Sequence, residues 1–106
     1  MNYKLVWFVP REALESTRAA VFAAGAGGIG DYERCSFYTA GTGTFLAGVG
    51  SDPSVGRIGR EERVSELRVE TVVPAERAKE VVAALIAAHP YNQVAFDLYV
   101  LADLDA

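Results

Sequence analysis

The sequence predicts an α+β fold of the split β-α-β kind: element order β-α-β-β-α-β, a four-stranded antiparallel sheet, and two helices on one of its faces. Three observations carry this. Four segments have strand character, two have helical periodicity, and the two halves repeat one plan. That plan is a strand, Val-Pro, a glutamate two residues on, an alanine-rich helix, a break, a tyrosine and a strand. Val9-Pro10 answers Val73-Pro74, Glu12 answers Glu76, Phe22-Ala23-Ala24 answers Ile86-Ala87-Ala88, and Gly25 answers His89. With 106 residues, the chain reads as a single domain over 1–106, long enough for one core and too short for two of ordinary size.

The elements follow in order. Tyr3 to Val9 is β-branched, aromatic and nearly continuous in apolarity, the pattern of a strand covered on both faces or lying at an oligomer contact. Pro10 stops it and sets the backbone for a helix over Arg11 to Ala24, with Glu12 and Glu15 in the first turns, where negative charge complements the helix dipole. Leu14, Thr17, Val21 and Phe22 share one helical face. Glycines from Gly25 onward end this helix. A second strand is expected over Asp31 to Thr39, with Glu33, Cys35, Phe37 and Thr39 on one face. Ala40 to Arg60 is glycine-rich and is expected to be the longest irregular segment, with alternation around Thr42 to Leu46 that allows a strand extension or a short hairpin arm. Val64 to Val73 alternates, Leu67, Val69, Thr71 and Val73 inward and Glu66, Arg68 and Glu70 outward. A helix over Glu76 to Ala88 carries Ala78, Val81, Val82, Leu85 and Ile86 as an apolar stripe, and His89-Pro90 ends it because the residue before proline is pushed from the α region. Val94 to Leu101 is the last strand, with Val94, Phe96, Leu98 and Val100 on one face and Asp97 and Tyr99 on the other, and the acidic tail from Ala102 to Ala106 is expected to fray. Two such units joined between their inner strands give the ferredoxin-like arrangement, whose second sheet face is left for another subunit to cover.

Composition narrows the function classes. The formal net charge of −4 and the lack of any basic run argue against a nucleic-acid face. Cys35 is the only cysteine, which rules out an intramolecular disulfide and a four-cysteine zinc site and fits a reducing compartment. No apolar run reaches membrane-spanning length and no leader precedes the first strand, so a soluble, cytoplasmic protein without membrane partners is expected.

Two stretches invite a chemical reading. Gly25-Ala26-Gly27-Gly28-Ile29-Gly30 matches the G-x-G-x-x-G string, but the dinucleotide fingerprint requires a strand before the glycines and a helix after them, and here the order is reversed. A helix stop explains these glycines. The Gly41 to Arg63 loop could receive an anion through its glycine amides and Arg57, Arg60 and Arg63, although the P-loop lysine and its spacing are missing.

Gly27-Gly28-Ile29-Gly30-Asp31-Tyr32, Cys35-Ser36-Phe37, Gly41-Thr42-Gly43-Thr44-Phe45, and His89-Pro90-Tyr91 with Ala95-Phe96-Asp97 together resemble the YqfO-type domain. That domain occurs as an insert in Nif-three-like proteins and also as a stand-alone small protein. The resemblance covers nearly the whole chain and implies a PII/CutA-like fold that assembles through its sheets, typically as a trimer. The family commonly has an acidic residue after His-Pro-Tyr and a proline before Ala-Tyr-Asp, where this chain has Asn92, Val94 and Phe96. The paired-metal site of the larger proteins lies in flanking domains outside this stretch, so their suspected hydrolase or cyclohydrolase activity does not carry over.

The leading expectation is a non-enzymatic, homo-oligomeric PII/CutA-like module that binds a small molecule or a protein partner at clefts between subunits. Its candidate ligand-binding residues are His89, Tyr91, Asp97, Gly41, Gly43 and Arg57. The alternative is a divalent-metal protein of the CutA kind, with His89 as the ligand, joined by Asp31 and Asp97 or by symmetry-related histidines. A hydrolase-accessory role beside Nif-three-like enzymes ranks below both. For catalysis, His89, Tyr91 and Asp97 form the sole acid-base cluster the sequence offers, with no nucleophile beside it. A structural role for the same turn is simpler: His89 satisfies helix carbonyls, Pro90 stops the helix and Tyr91 packs on the sheet.

Overall fold

The computed structural model describes residues 1–53 and 56–104. Positions 54–55 of the expected loop and the last two residues of the expected tail lie outside them. The elements are β1 (Asn2–Val9), α1 (Leu14–Ala23), β2 (Ser36–Leu46), β3 (Glu61–Pro74), α2 (Ala78–Ala88) and β4 (Phe96–Val100). The sheet order is β2-β3-β1-β4 and every neighbouring pair is antiparallel. This is the ferredoxin-like topology the repeat predicts.

Pro10 and Pro74 act alike. Each ends its strand in an extended conformation, and each is followed by a single 3-10 turn, Arg11–Ala13 or Ala75–Arg77, before the α-helix proper begins. Leu5, Trp7 and Val9 of β1 and Leu67, Val69 and Val73 of β3 point to the helices and pack with Leu14, Val21, Val81 and Leu85. Polar groups in this layer are paired: the Trp7 indole donates to Thr17 Oγ1 at 3.1 Å, and that hydroxyl donates its own proton to the Ala13 carbonyl at 2.8 Å. Ile86 departs from the expected stripe, being half-exposed at the rim of α2.

β2 is displaced from its expected place. Ile29 and Tyr32 exchange both backbone hydrogen bonds around Gly30, Arg34 takes the left-handed conformation (φ +58°), and the Cys35 amide turns back to the Gly27 carbonyl at 2.8 Å. Residues 31–35 are thus a closed turn, and the strand starts at Ser36. It then runs through the first third of the expected irregular loop to Leu46, paired with β3 down to Glu61. Because β1 ends at Val9 opposite Leu67, residues 41–46 and 61–66 form a two-stranded arm beyond the four-stranded sheet. β4 is shorter than expected at both ends.

The helix-free face of the sheet is mixed rather than apolar. By register it carries Lys4, Val6 and Phe8 beside Arg68, Glu70, Asp97 and Tyr99. Val6 is fully buried there, while Arg68 donates to Glu70 at 3.2 Å and lies over the Phe8 ring at 5.7 Å.

Candidate ligand site

The site begins with the way α2 ends. The His89 amide still bonds the Leu85 carbonyl, but the residue itself is extended (φ −79°, ψ 140°), as a residue before proline must be. Its imidazole is 7% exposed, and its Nδ1 accepts the Tyr91 amide at 3.1 Å. Nε2 therefore carries the ring proton and donates it to the Phe8 carbonyl at 2.7 Å. The ring ties the turn to the end of β1. Tyr91 follows with its ring centroid 4.8 Å from that of His89.

With both ring nitrogens engaged, His89 has no free lone pair for a metal ion in this arrangement. Among the described residues no group of three or more His, Cys, Asp or Glu side chains is gathered as a metal site. Asp31 lies in the turn after α1, far along the sequence from this end of the sheet, and Asp97 sits in β4 opposite Val6.

Next to this turn lies a cavity of about 540 Å³ with a mostly apolar wall, bounded by the arm, the segment that follows it and the 91–95 turn. Phe8, Phe45 and Tyr91 bring their rings to it. The segment after the arm is fastened on two sides: the Gly59 amide bonds the Ala47 carbonyl at 2.7 Å, and the Asn92 side chain donates to the Asp52 carbonyl at 2.5 Å. Glu66 of β3 also lines the cavity and lies across Gly43, so close that a Cβ at position 43 would clash with Glu66 Oε1. Only glycine leaves room for that carboxylate. Burial raises the pKa of the Tyr91 hydroxyl above its usual value, and the charge of Glu66, the hydrogen bond to Glu66 and the charge of Glu12 add to the shift.

Of the residues singled out from sequence, Tyr91 and Gly43 line the cavity. His89 stands behind Tyr91 and holds it. Gly41 faces Glu66 across the ladder and is exposed. Asp97 and Arg57 are not among the described residues of the lining. Arg60 and Arg63 are turned to Glu62 and Glu61 at 3.4 and 3.8 Å. Sequence reading missed Phe8, Asp52 and above all Glu66. The available signal was Gly43: a glycine inside a strand marks a close approach. The site has a carboxylate, a phenol and aromatic rings, which suits it to holding a molecule.

No family model matches the chain. Its fold places it among PII/CutA-like domains. The periplasmic divalent cation tolerance protein CutA from Archaeoglobus fulgidus superposes with a TM-score of 0.71 at 16% identity, over 95% of this chain and 84% of that one. GlnK from Bacillus subtilis does so with a TM-score of 0.58 at 11% identity, over 92% and 83%.

Sequence adds the particular kind. A GTP cyclohydrolase 1 type 2 homolog from Mycobacterium tuberculosis is 57% identical over 98 residues, which are 92% of this chain and 26% of that protein. The Bacillus cereus protein related to NIF3 superposes with a TM-score of 0.85 at 43% identity, over 96% of this chain and 26% of its own. Over nearly its whole length the chain is similar to one stretch of these YqfO-type, NIF3-related proteins, and it spans about a quarter of the length of the curated relatives it matches.

Proposed function

We propose that this chain is a non-enzymatic binding module, one PII/CutA-like domain working as a cytoplasmic homo-oligomer, that captures a small molecule in the cavity between its arm and its His89-Pro90-Tyr91 turn. The observation that carries this reading is the cavity itself. At about 540 Å³, with a mostly apolar wall and a few polar groups at fixed places, it has the size and chemistry of small-molecule sites. Two elements that the sequence separates by some forty residues meet there, and Gly43 is shaped to admit Glu66. The GTP cyclohydrolase name of the relatives concerns proteins about four times as long as the stretch matched here, so in a longer chain this module would serve the catalytic parts by binding.

Oligomer formation rests on three features. One sheet face is free of helices, the arm lies outside the sheet, and Phe37, Phe45 and Leu46 of β2 expose 67%, 38% and 60% of their surface. A lone two-stranded ribbon is marginal in water, so the arm gains from a neighbouring subunit. The resemblance favours a trimer.

Native mass spectrometry of the purified protein tests both parts. A trimer that retains an added mass, lost on denaturation, is the expected result. A bare monomer whose melting temperature is unmoved by a broad panel of small molecules would sink the reading, because a ligand selective for the folded state must stabilise it.

A further inference from the structure

We infer that the cavity takes an organic cation, an apolar or aromatic body bearing a protonated nitrogen, with Glu66 as the group that reads its charge. The inference rests on the reading of this cavity as a ligand site and adds the class of ligand.

Charge is the first argument. Among the described residues lining the cavity, the charged ones are Glu66 and Asp52, and no lysine or arginine is with them. An anion entering this space would meet acidic residues in the lining and no basic one. Arg60 and Arg63, two of the three arginines of the expected anion-binding loop, are turned to glutamates beside them, and none of the three is among the lining residues.

Placement is the second. Gly43 lets the Glu66 carboxylate lie over the strand, where Glu66 lines the cavity. Tyr91 lines the same cavity as that carboxylate, and an ionised carboxylate has about four acceptor positions. A donor on the ligand can take one. An uncharged apolar ligand would instead strip water from Glu66 and give nothing back, which is costly for a charged group.

The walls are the third. Phe45 and Tyr91 are in the lining of the same space, and the negative face of an aromatic ring attracts a cation. Phe8, also in the lining, already holds the Arg68 guanidinium at 5.7 Å, so Phe45 and Tyr91 are the rings left for a ligand. The volume exceeds by far what a metal ion or ammonium needs, so the charge must ride on a larger apolar body.

The test uses one ring system with three charges: tryptamine, neutral tryptophol and anionic indoleacetate, titrated into the full chain and followed through the amide signals of Gly43, Phe45 and Tyr91. Tryptamine is expected to bind about tenfold or more tightly than either analogue, the value of a hydrogen bond to a charged group. Glu66→Gln is expected to abolish that preference while Glu76→Gln, within the second 3-10 turn after β3, keeps it. Gly43→Ala, which pushes the carboxylate aside without removing it, must act like Glu66→Gln, and the amide spectrum of each variant reports that it is folded. Equal affinities for the three probes, or a preference that survives Glu66→Gln, would overturn the cation assignment and leave the cavity as a site for another class. Signals that stay still with all three would overturn the cavity reading as well.

Discussion

The two halves of this molecule begin alike and end differently. Each goes from strand through Val-Pro and one 3-10 turn into an alanine-rich helix. After α1 the chain leaves through Gly25 (φ +120°) and a turn held by its own backbone hydrogen bonds, and then produces the eleven-residue β2, which overruns the sheet. After α2 it leaves through His89-Pro90, extended and tied to β1 by a side chain, and produces a β4 of only five residues. The overrun of one half and the short return of the other leave the space in which the cavity lies. A repeated plan built the scaffold, and the point where the repeat fails built the site.

The largest effect that can test this lies in the core, at equivalent places in the halves. Trp7 and Thr71 correspond in the repeat and lie diagonally across the β1–β3 ladder, two residues apart in register, both turned to the helices. Trp7 fills the core and bonds Thr17, whereas Thr71 donates to the Cys35 carbonyl at 2.7 Å and so anchors the turn before β2. Trp7→Ala is expected to cost about 3–5 kcal/mol, and Thr71→Ala about 1–2 kcal/mol, both read by denaturant melts. Equal losses would mean that the halves share the core evenly and that the comparison is wrong at its base.

How much of this could be read from the sequence differed in the same way. α2 and β3 were plain because their apolar residues follow one period, and β1 because it is almost continuously apolar, and Pro10 and Pro74 marked the strand ends. β2 was not, because its second half alternates glycine with threonine, a weak strand pattern, and its stability comes from pairing with β3 rather than from its own residues. Tyr32 and Cys35 have strand character, yet Gly30 and Arg34 turn the chain back on itself there. At the site, Tyr91 and Gly43 stood out by their motifs. Glu66 did not, because an alternating polar residue on a strand reads as facing water. Only the arm's pairing shows that it lies over a glycine. Arg57 was chosen for its charge, which says nothing about where a loop residue points.

The two helix exits, Gly25 and His89, give the second test. In His89→Ala the Phe8 carbonyl and the Tyr91 amide both lose their partner in a poorly hydrated place, for an expected loss of about 2–4 kcal/mol. Gly25→Ala forces a side chain into a positive-φ conformation against Arg77, whose flexible stem can move aside, for about 1–3 kcal/mol. The His89 variant should also disturb the Tyr91 signals, and the Gly25 variant should leave them alone. Zinc and a chelator separate the structural from the metal role of His89: the melting temperature of the unmodified protein should be the same with either, since both ring nitrogens are already bonded. A stabilisation by zinc that disappears in His89→Ala would restore the metal reading.

The smallest effect belongs to Tyr91, whose hydroxyl has its pKa raised in the folded state, first by burial and then by Glu66. The folded protein therefore holds this proton after the unfolded chain has released it. Over the interval between the ordinary tyrosine value of about 10 and the raised one, the unfolded state binds fewer protons, so stability must fall as pH rises. Below that interval the contribution is fully present. Tyr91→Phe has no proton to release, so its stability should fall less steeply than that of the unmodified protein as denaturant melts are taken from pH 9 toward the alkaline limit. Glu66→Gln should flatten the slope in part, because it removes the charge and leaves the burial. If Tyr91→Phe and the unmodified protein kept parallel slopes, the phenol would not be held against the carboxylate, and the second half's turn would position a ring without building a polar site.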